Sequence, residues 1–121
     1  MKALVVDDEE DVRYVARLSL NRFGGMTVIE ARNGEEGIAY AKKEQPDFIL
    51  LDIMMPGKDG AATFHELRAG TDTAEIPIVF LTAKSMAEEA QRLIHLGAKG
   101  VLFKPFNPMT LASEITAILC P

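Results

Sequence analysis

Short apolar runs and longer amphipathic stretches alternate five times along this chain. The runs Ala3–Asp7, Thr27–Ala31, Phe48–Asp52, Ile76–Leu81 and Gly100–Phe103 predict strands, and the stretch after each predicts a helix. Leu4-Val5-Val6, Phe48-Ile49-Leu50-Leu51 and Ile78-Val79-Phe80-Leu81 are apolar without alternation, the pattern of strands covered by helices on both faces. The first, third and fourth strands are therefore expected at the centre of a sheet. Val12, Val15, Ala16 and Phe23 make an apolar stripe in the first helix, and Leu111, Ile115, Ile118 and Leu119 make one in the last. Both stripes are expected to face the sheet.

The helix ends are also written locally. Asp8, Glu9, Glu10 and Asp11 open the first helix, Arg17 and Arg22 lie near its end as the macrodipole favours, and Gly24-Gly25 stop it. Asn33 with Glu36, and Ser85 with Glu88, read as caps with a reaching carboxylate, while Asn107-Pro108 reads as another helix start. Strict alternation of strand and helix implies an α/β fold: a five-stranded parallel sheet with five helices, doubly wound into a three-layer sandwich. Right-handed crossovers send every strand's C-terminal end to one edge, where ligands gather at the point of reversal. Strand order 2-1-3-4-5, as in flavodoxin-like sheets, is the expectation carried over from other folds of this kind.

Length and composition narrow the possibilities. The 121 residues make one domain, 1–121, able to bury roughly two thirds of its unfolded surface. With 48% hydrophobic and 26% charged residues, the chain is neither disordered nor collagen-like nor a simple coiled-coil rod. Its apolar runs are far shorter than a membrane span, and Met1-Lys2 lead straight into Ala3, so neither anchor nor targeting peptide is expected. A net charge of −5 argues against nucleic acid as a direct partner. The single cysteine, Cys120, rules out an internal disulfide and a paired-thiol zinc site, and a reducing cytoplasm is the expected compartment.

Chemistry collects at the strand ends: Asp7 and Asp8 after the first strand, Asp52 after the third, Thr82 and Ala83 after the fourth, Lys104-Pro105 after the fifth. Singly, these are helix caps, turn acids and surface cations. Together at one edge they are something else, because two carboxylates about 5 Å apart repel by roughly 3 kcal/mol at an effective dielectric near 20. An oxygen-only cluster without thiol or imidazole suits a hard divalent cation, Mg2+ first and Mn2+ second. A carboxylate, a hydroxyl, an ammonium and a hydrated metal form a cradle for the three equatorial oxygens of a phosphoryl group, with Asp52 as a candidate nucleophile.

Val5-Val6-Asp7-Asp8-Glu9, Leu50-Leu51-Asp52-Ile53-Met54-Met55-Pro56-Gly57-Lys58-Asp59-Gly60, Phe80-Leu81-Thr82-Ala83 and Phe103-Lys104-Pro105-Phe106 together resemble the receiver domain of two-component response regulators, over the whole chain. The resemblance implies that Asp52 accepts a phosphoryl group from a sensor histidine kinase or histidine phosphotransfer protein. It implies that Asp8 and Asp52 ligate Mg2+ directly, that Asp7 acts largely through water, and that the backbone carbonyl of Met54 completes the ligands. Thr82 and Lys104 would each bind a phosphoryl oxygen, Thr82 being drawn toward it, and Lys104-Pro105 would be cis. The helix from about Ser85 to His95, the strand Gly100–Phe103 and the helix Pro108–Leu119 would form the face that docks partners.

The chain departs from that family in places. Val101 stands where an aromatic often swings inward, so Phe103, two residues on and on the same strand face, is the candidate for that part. Met54 and Lys84, two residues after Asp52 and Thr82, position no water, which implies a long-lived phosphoryl group. His65 and His95 share no ligand spacing and are expected at the surface. Ending at Cys120-Pro121, the chain fits a regulator that docks on a downstream protein or a receiver separated from an output domain. Lys99-Gly100-Val101 lacks the Asp-Asp-Tyr run of many winged-helix regulators. Two other readings compete: a haloacid-dehalogenase-like phosphohydrolase, which lacks its Asp-x-Asp motif here, and a flavin-mononucleotide binder, whose phosphate loop would meet Asp7 and Asp8.

Overall fold

The computed structural model describes residues 1–121. Five strands, β1 (Lys2–Val6), β2 (Thr27–Ala31), β3 (Phe48–Leu51), β4 (Ile78–Ala83) and β5 (Gly100–Lys104), alternate with α1 (Glu10–Gly24), α2 (Gly34–Glu44), α3 (Gly60–Ala69), α4 (Ala87–His95) and α5 (Leu111–Leu119). All pairings are parallel and the order is β2-β1-β3-β4-β5, which puts β1, β3 and β4 inside as their unbroken apolar runs require. β4 begins two residues later than expected. Pro77 has no amide to give the ladder, and it contributes only a carbonyl, which accepts from Ile49 at 2.9 Å.

Alternation along the strands sends side chains to two separate cores. Leu4, Val6, Ile49, Leu51, Ile78 and Phe80 pack beneath α2, α3 and α4 against Ile38, Phe64, Leu67 and Leu93. Ala3, Val5, Phe48, Leu50, Val79 and Leu81 pack against Ala16 and Leu20 of α1 and Leu111 and Ile115 of α5. A large aliphatic or aromatic side chain buried this completely contributes about 1.5–3 kcal/mol, and both layers of helix are held in this way.

The stripe expected on α5 faces the sheet; the one expected on α1 is half wrong. Ala16 is buried and Val12 packs against the core, but Val15 and Phe23 are exposed, and the buried face is Arg13, Ala16, Ser19 and Leu20. The helical period lines up positions 13, 16 and 20, and Arg13 is admitted because its guanidinium donates to the Asp7 carbonyl at 2.8 Å and lies 3.4 Å from Glu30. Gly25, at φ 63°, closes α1 in the left-handed conformation.

Asn33 caps α2, its side chain accepting from the Glu36 amide at 2.8 Å, and Glu36 reaches back to the Arg32 amide. The cap expected at Ser85 does not form. Lys84–Met86 make a 3-10 turn, and α4 starts at Ala87 without a side-chain cap. Asn107 orders a turn through its bond from the Met109 amide, and α5 proper starts at Leu111. No helix is long and apolar enough to cross a membrane.

Candidate functional site

Asp7 and Asp52 each stand one residue beyond a central strand, yet the ladder continues through both. The Asp7 amide donates to Ala31 and the Asp52 amide to Val6, each at 3.1 Å. The sheet thereby fixes the backbone of both acids at its C-terminal rim. Thr82 and Lys104 arrive from the ends of β4 and β5, and Asp8 stands outside the rim beside Asp7. A ligating oxygen from each of Asp7, Asp8 and Asp52 lies within 4.8 Å of the others.

The two oxygens of Asp52 have different surroundings. Oδ1 accepts from the Thr82 hydroxyl at 2.8 Å and from the Met54 amide at 3.2 Å, while Oδ2 accepts from the Lys104 ammonium at 3.0 Å. Thr82 is fully buried and Asp52 is 4% exposed, so this carboxylate is gripped from two sides with only a narrow opening to solvent. Lys104 also reaches Asp7 Oδ2 at 2.9 Å and Glu9 Oε1 at 3.0 Å. The Lys104-Pro105 peptide is cis.

Charge is tuned by this crowding. Burial raises the pKa of Asp7 above the ordinary carboxylate value, against the opposing pull of the Lys104 bond and of the Glu9 amide that donates to it. Burial pulls Lys104 downward, but its bonds to Asp7, Glu9 and Asp52 outweigh this and hold the ammonium above its ordinary pKa. The rim is thus a cluster of acids around one ammonium whose charged form their bonds favour.

The donor set fits a hard divalent cation. It consists of carboxylate oxygens only, Asp8 faces solvent, and the Met54 carbonyl accepts no internal hydrogen bond and remains available. The Met54 side chain is 58% exposed. His65 and His95 lie exposed on α3 and α4, as the sequence implied.

Three features of the site were not foreseen. Glu9, read only as a helix-opening acid, contacts Lys104; three acids in succession, Asp7-Asp8-Glu9, were the available signal. Thr82, expected to be drawn in, already bonds the Asp52 carboxylate. Gly60 opens α3 against the backbone of Asp52, where a Cβ would come within 2.1 Å of the Asp52 carbonyl oxygen. Beside the rim, Glu9, Asp11, Val12, Val15, Lys104, Pro105 and Phe106 line a groove of about 430 Å3.

Known proteins with this arrangement are numerous. Residues 3–116 match the family described as the response regulator receiver domain, and the chain belongs to that family, the receiver domains of two-component response regulators. It is 34% identical over 118 residues to Protein PilH of Pseudomonas aeruginosa, covering 98% of this chain and 97% of that protein. It is 38% identical over 118 residues to the probable transcriptional regulator ycf27 of Porphyridium aerugineum, covering 98% of this chain but 48% of that protein. The chain thus spans about half the length of several relatives it matches. Among solved structures, the chemotaxis protein CheY4 of Vibrio cholerae superposes with a TM-score of 0.87 at 33% identity, covering 97% of both chains.

Proposed function

We propose that Asp52 is the phosphoacceptor of a cytoplasmic signalling switch that a sensor histidine kinase or a histidine phosphotransfer protein loads. The observation that supports this most directly is the grip on one buried carboxylate by a hydroxyl and an ammonium, beside two further acids. An Asp52 oxygen attacks the phosphorus of the partner's phosphohistidine; the N–P bond breaks as the O–P bond forms, and the imidazole nitrogen keeps the electron pair. Thr82 and Lys104, already aimed at the two Asp52 oxygens, are placed to pass to phosphoryl oxygens as these arrive.

Asp8, Asp52 and the Met54 carbonyl would hold Mg2+, or Mn2+ in its place, with Asp7 acting mainly through water. Bound there, the ion supplies positive charge to the phosphoryl oxygens. The domain handles no substrate beyond its own acceptor: it assists only its own phosphorylation and dephosphorylation. The face built by α4, β5 and α5 then engages a downstream protein target or an attached output domain, since a small shift of Thr82 and its strand neighbours biases two packings of that face.

Incubation with acetyl phosphate, with and without Mg2+, followed by intact mass tests this reading. Wild type plus metal gains the roughly 80 Da of one phosphoryl group, whereas Asp52→Asn and metal-free protein gain nothing. A gain that persists in Asp52→Asn overturns the assignment. Turnover of small phosphomonoesters, or a bound flavin, would favour the two rival readings.

A further inference from the structure

Arg13 occupies the buried face of α1, where an apolar side chain would carry no desolvation cost. What an apolar residue could not supply there is a donor. The ladder between β1 and β2 ends at Val6 and Ala31; just beyond it the Asp7 amide still donates to Ala31, but the Asp7 carbonyl accepts no backbone hydrogen bond. Arg13 satisfies that carbonyl instead: its Nη1 donates to it at 2.8 Å, while its Nε lies 3.4 Å from Glu30 on β2. Peptide planarity turns this bond into control of the next residue, because the Asp7 carbonyl oxygen, the Asp8 nitrogen and the Asp8 Cα share one plane. The Asp7 amide is already held by Ala31, and its carboxylate by the Glu9 amide at 2.9 Å, so fixing the carbonyl oxygen fixes where Asp8 starts. Asp8 is exposed, and no packing around its carboxylate does this in place of the peptide.

We propose that Arg13 is a positioning residue for the cation site: it holds the Asp7–Asp8 peptide from behind, aims Asp8, and so sets the affinity of the rim for a hard divalent cation. This rests on Asp8 and Asp52 being the residues that hold Mg2+. Position and charge act here with opposite signs. Taking a positive group away from a cluster of acids should by charge alone tighten the binding of a cation. Loss of the guanidinium that instead weakens Mg2+ binding therefore reports the placement of Asp8.

The test compares wild type with Arg13→Met, Arg13→Lys and Arg17→Met. Arg17 shares Glu30 with Arg13, at 2.8 Å, so Glu30 stays paired when Arg13 is replaced, and Arg17→Met removes the same charge while leaving the Arg13 bond to Asp7 in place. Two quantities are measured: the Mg2+ affinity by amide NMR titration without any phosphodonor, and the Mg2+ concentration for half-maximal phosphorylation by acetyl phosphate, followed by intact mass. Arg13→Met should weaken Mg2+ about three- to tenfold in both, with the rate at saturating Mg2+ within about twofold of wild type. Arg13→Lys keeps the charge but not the fork that spans a carbonyl and a carboxylate, and should lose less. Arg17→Met should bind Mg2+ no more weakly than wild type. Wild-type or tighter affinity in Arg13→Met, or an equal loss in Arg17→Met, overturns the proposal; if Arg13→Met does not fold, wild-type affinity in Arg13→Lys does so. Absence of Mg2+ binding in wild type, with no shifts at Asp8 or Asp52, would instead overturn the metal site itself and the proposal with it.

Discussion

Phe103 stands in register with Thr82 across β4 and β5, and alternation along each strand puts the two side chains on the face shared by Phe80 and Val101. The hydroxyl that bonds Asp52 and a half-buried ring are therefore immediate neighbours. Val101 is too small and stiff to transmit a displacement of Thr82, which leaves Phe103 as the side chain able to do so. Phe103→Ala should leave beryllofluoride loading intact while cutting the resulting change in α4 amide hydrogen exchange by about half. An α4 response equal to wild type would remove Phe103 from the readout.

Met54 stands two residues after Asp52. Its amide holds Asp52 while its apolar side chain stands exposed. A thioether offers an attacking water no useful hydrogen bond, whereas an amide would orient one opposite the leaving carboxylate. Met54→Asn should speed hydrolysis of phosphorylated protein by about five- to tenfold, followed by intact mass after donor removal. Equal rates would show that this side chain does not set phosphoryl lifetime.

Asp7 makes the resting protein sensitive to pH. Its folded pKa lies above the unfolded value because of burial, so the folded state binds the proton more tightly. The cost of ionising it is therefore fully present above the folded pKa and fades as pH falls toward the ordinary carboxylate range. In metal-free buffer, Asp7→Asn should raise the melting temperature at pH 7, and that advantage should shrink steadily toward pH 4. A gain that is constant with pH would assign the effect to something other than this ionisation.

Gly60 sets how closely α3 approaches Asp52. Its amide donates to the Ile53 carbonyl at 2.8 Å, and a Cβ would lie 2.1 Å from the Asp52 carbonyl oxygen and 2.4 Å from the Ile53 Cα. All of these are backbone atoms that cannot turn aside. Gly60→Ala should cost about 1–3 kcal/mol in urea unfolding and slow Asp52 phosphorylation by displacing its carboxylate. Stability within about 0.5 kcal/mol of wild type would show that the loop relaxes freely.

The parallel sheet and the gathering of Asp7, Asp8, Asp52, Thr82 and Lys104 at one rim were legible in the sequence because period and chirality send every strand end to the same edge, whereas the strand order was carried over from other folds of this kind. What escaped was decided by contacts between distant residues. Arg13 entered the buried face of α1 because a carbonyl from another element awaited it, and Val15 moved outward in consequence. Ser85 lost its cap because the chain tightens into a 3-10 turn there. Glu9 met Lys104 across 95 residues of sequence, a separation over which no local pattern speaks.

The two cores lie on opposite sides of the sheet and share no side chain, while the reactive groups sit on the rim between them. Substitutions on the outer surfaces of α1 and α5, or of α2, α3 and α4, can therefore accumulate without disturbing the rim. The scaffold behaves as a socket of constant wiring with two interchangeable housings: new protein contacts can be built on either side while the chemistry that commands them stays unchanged.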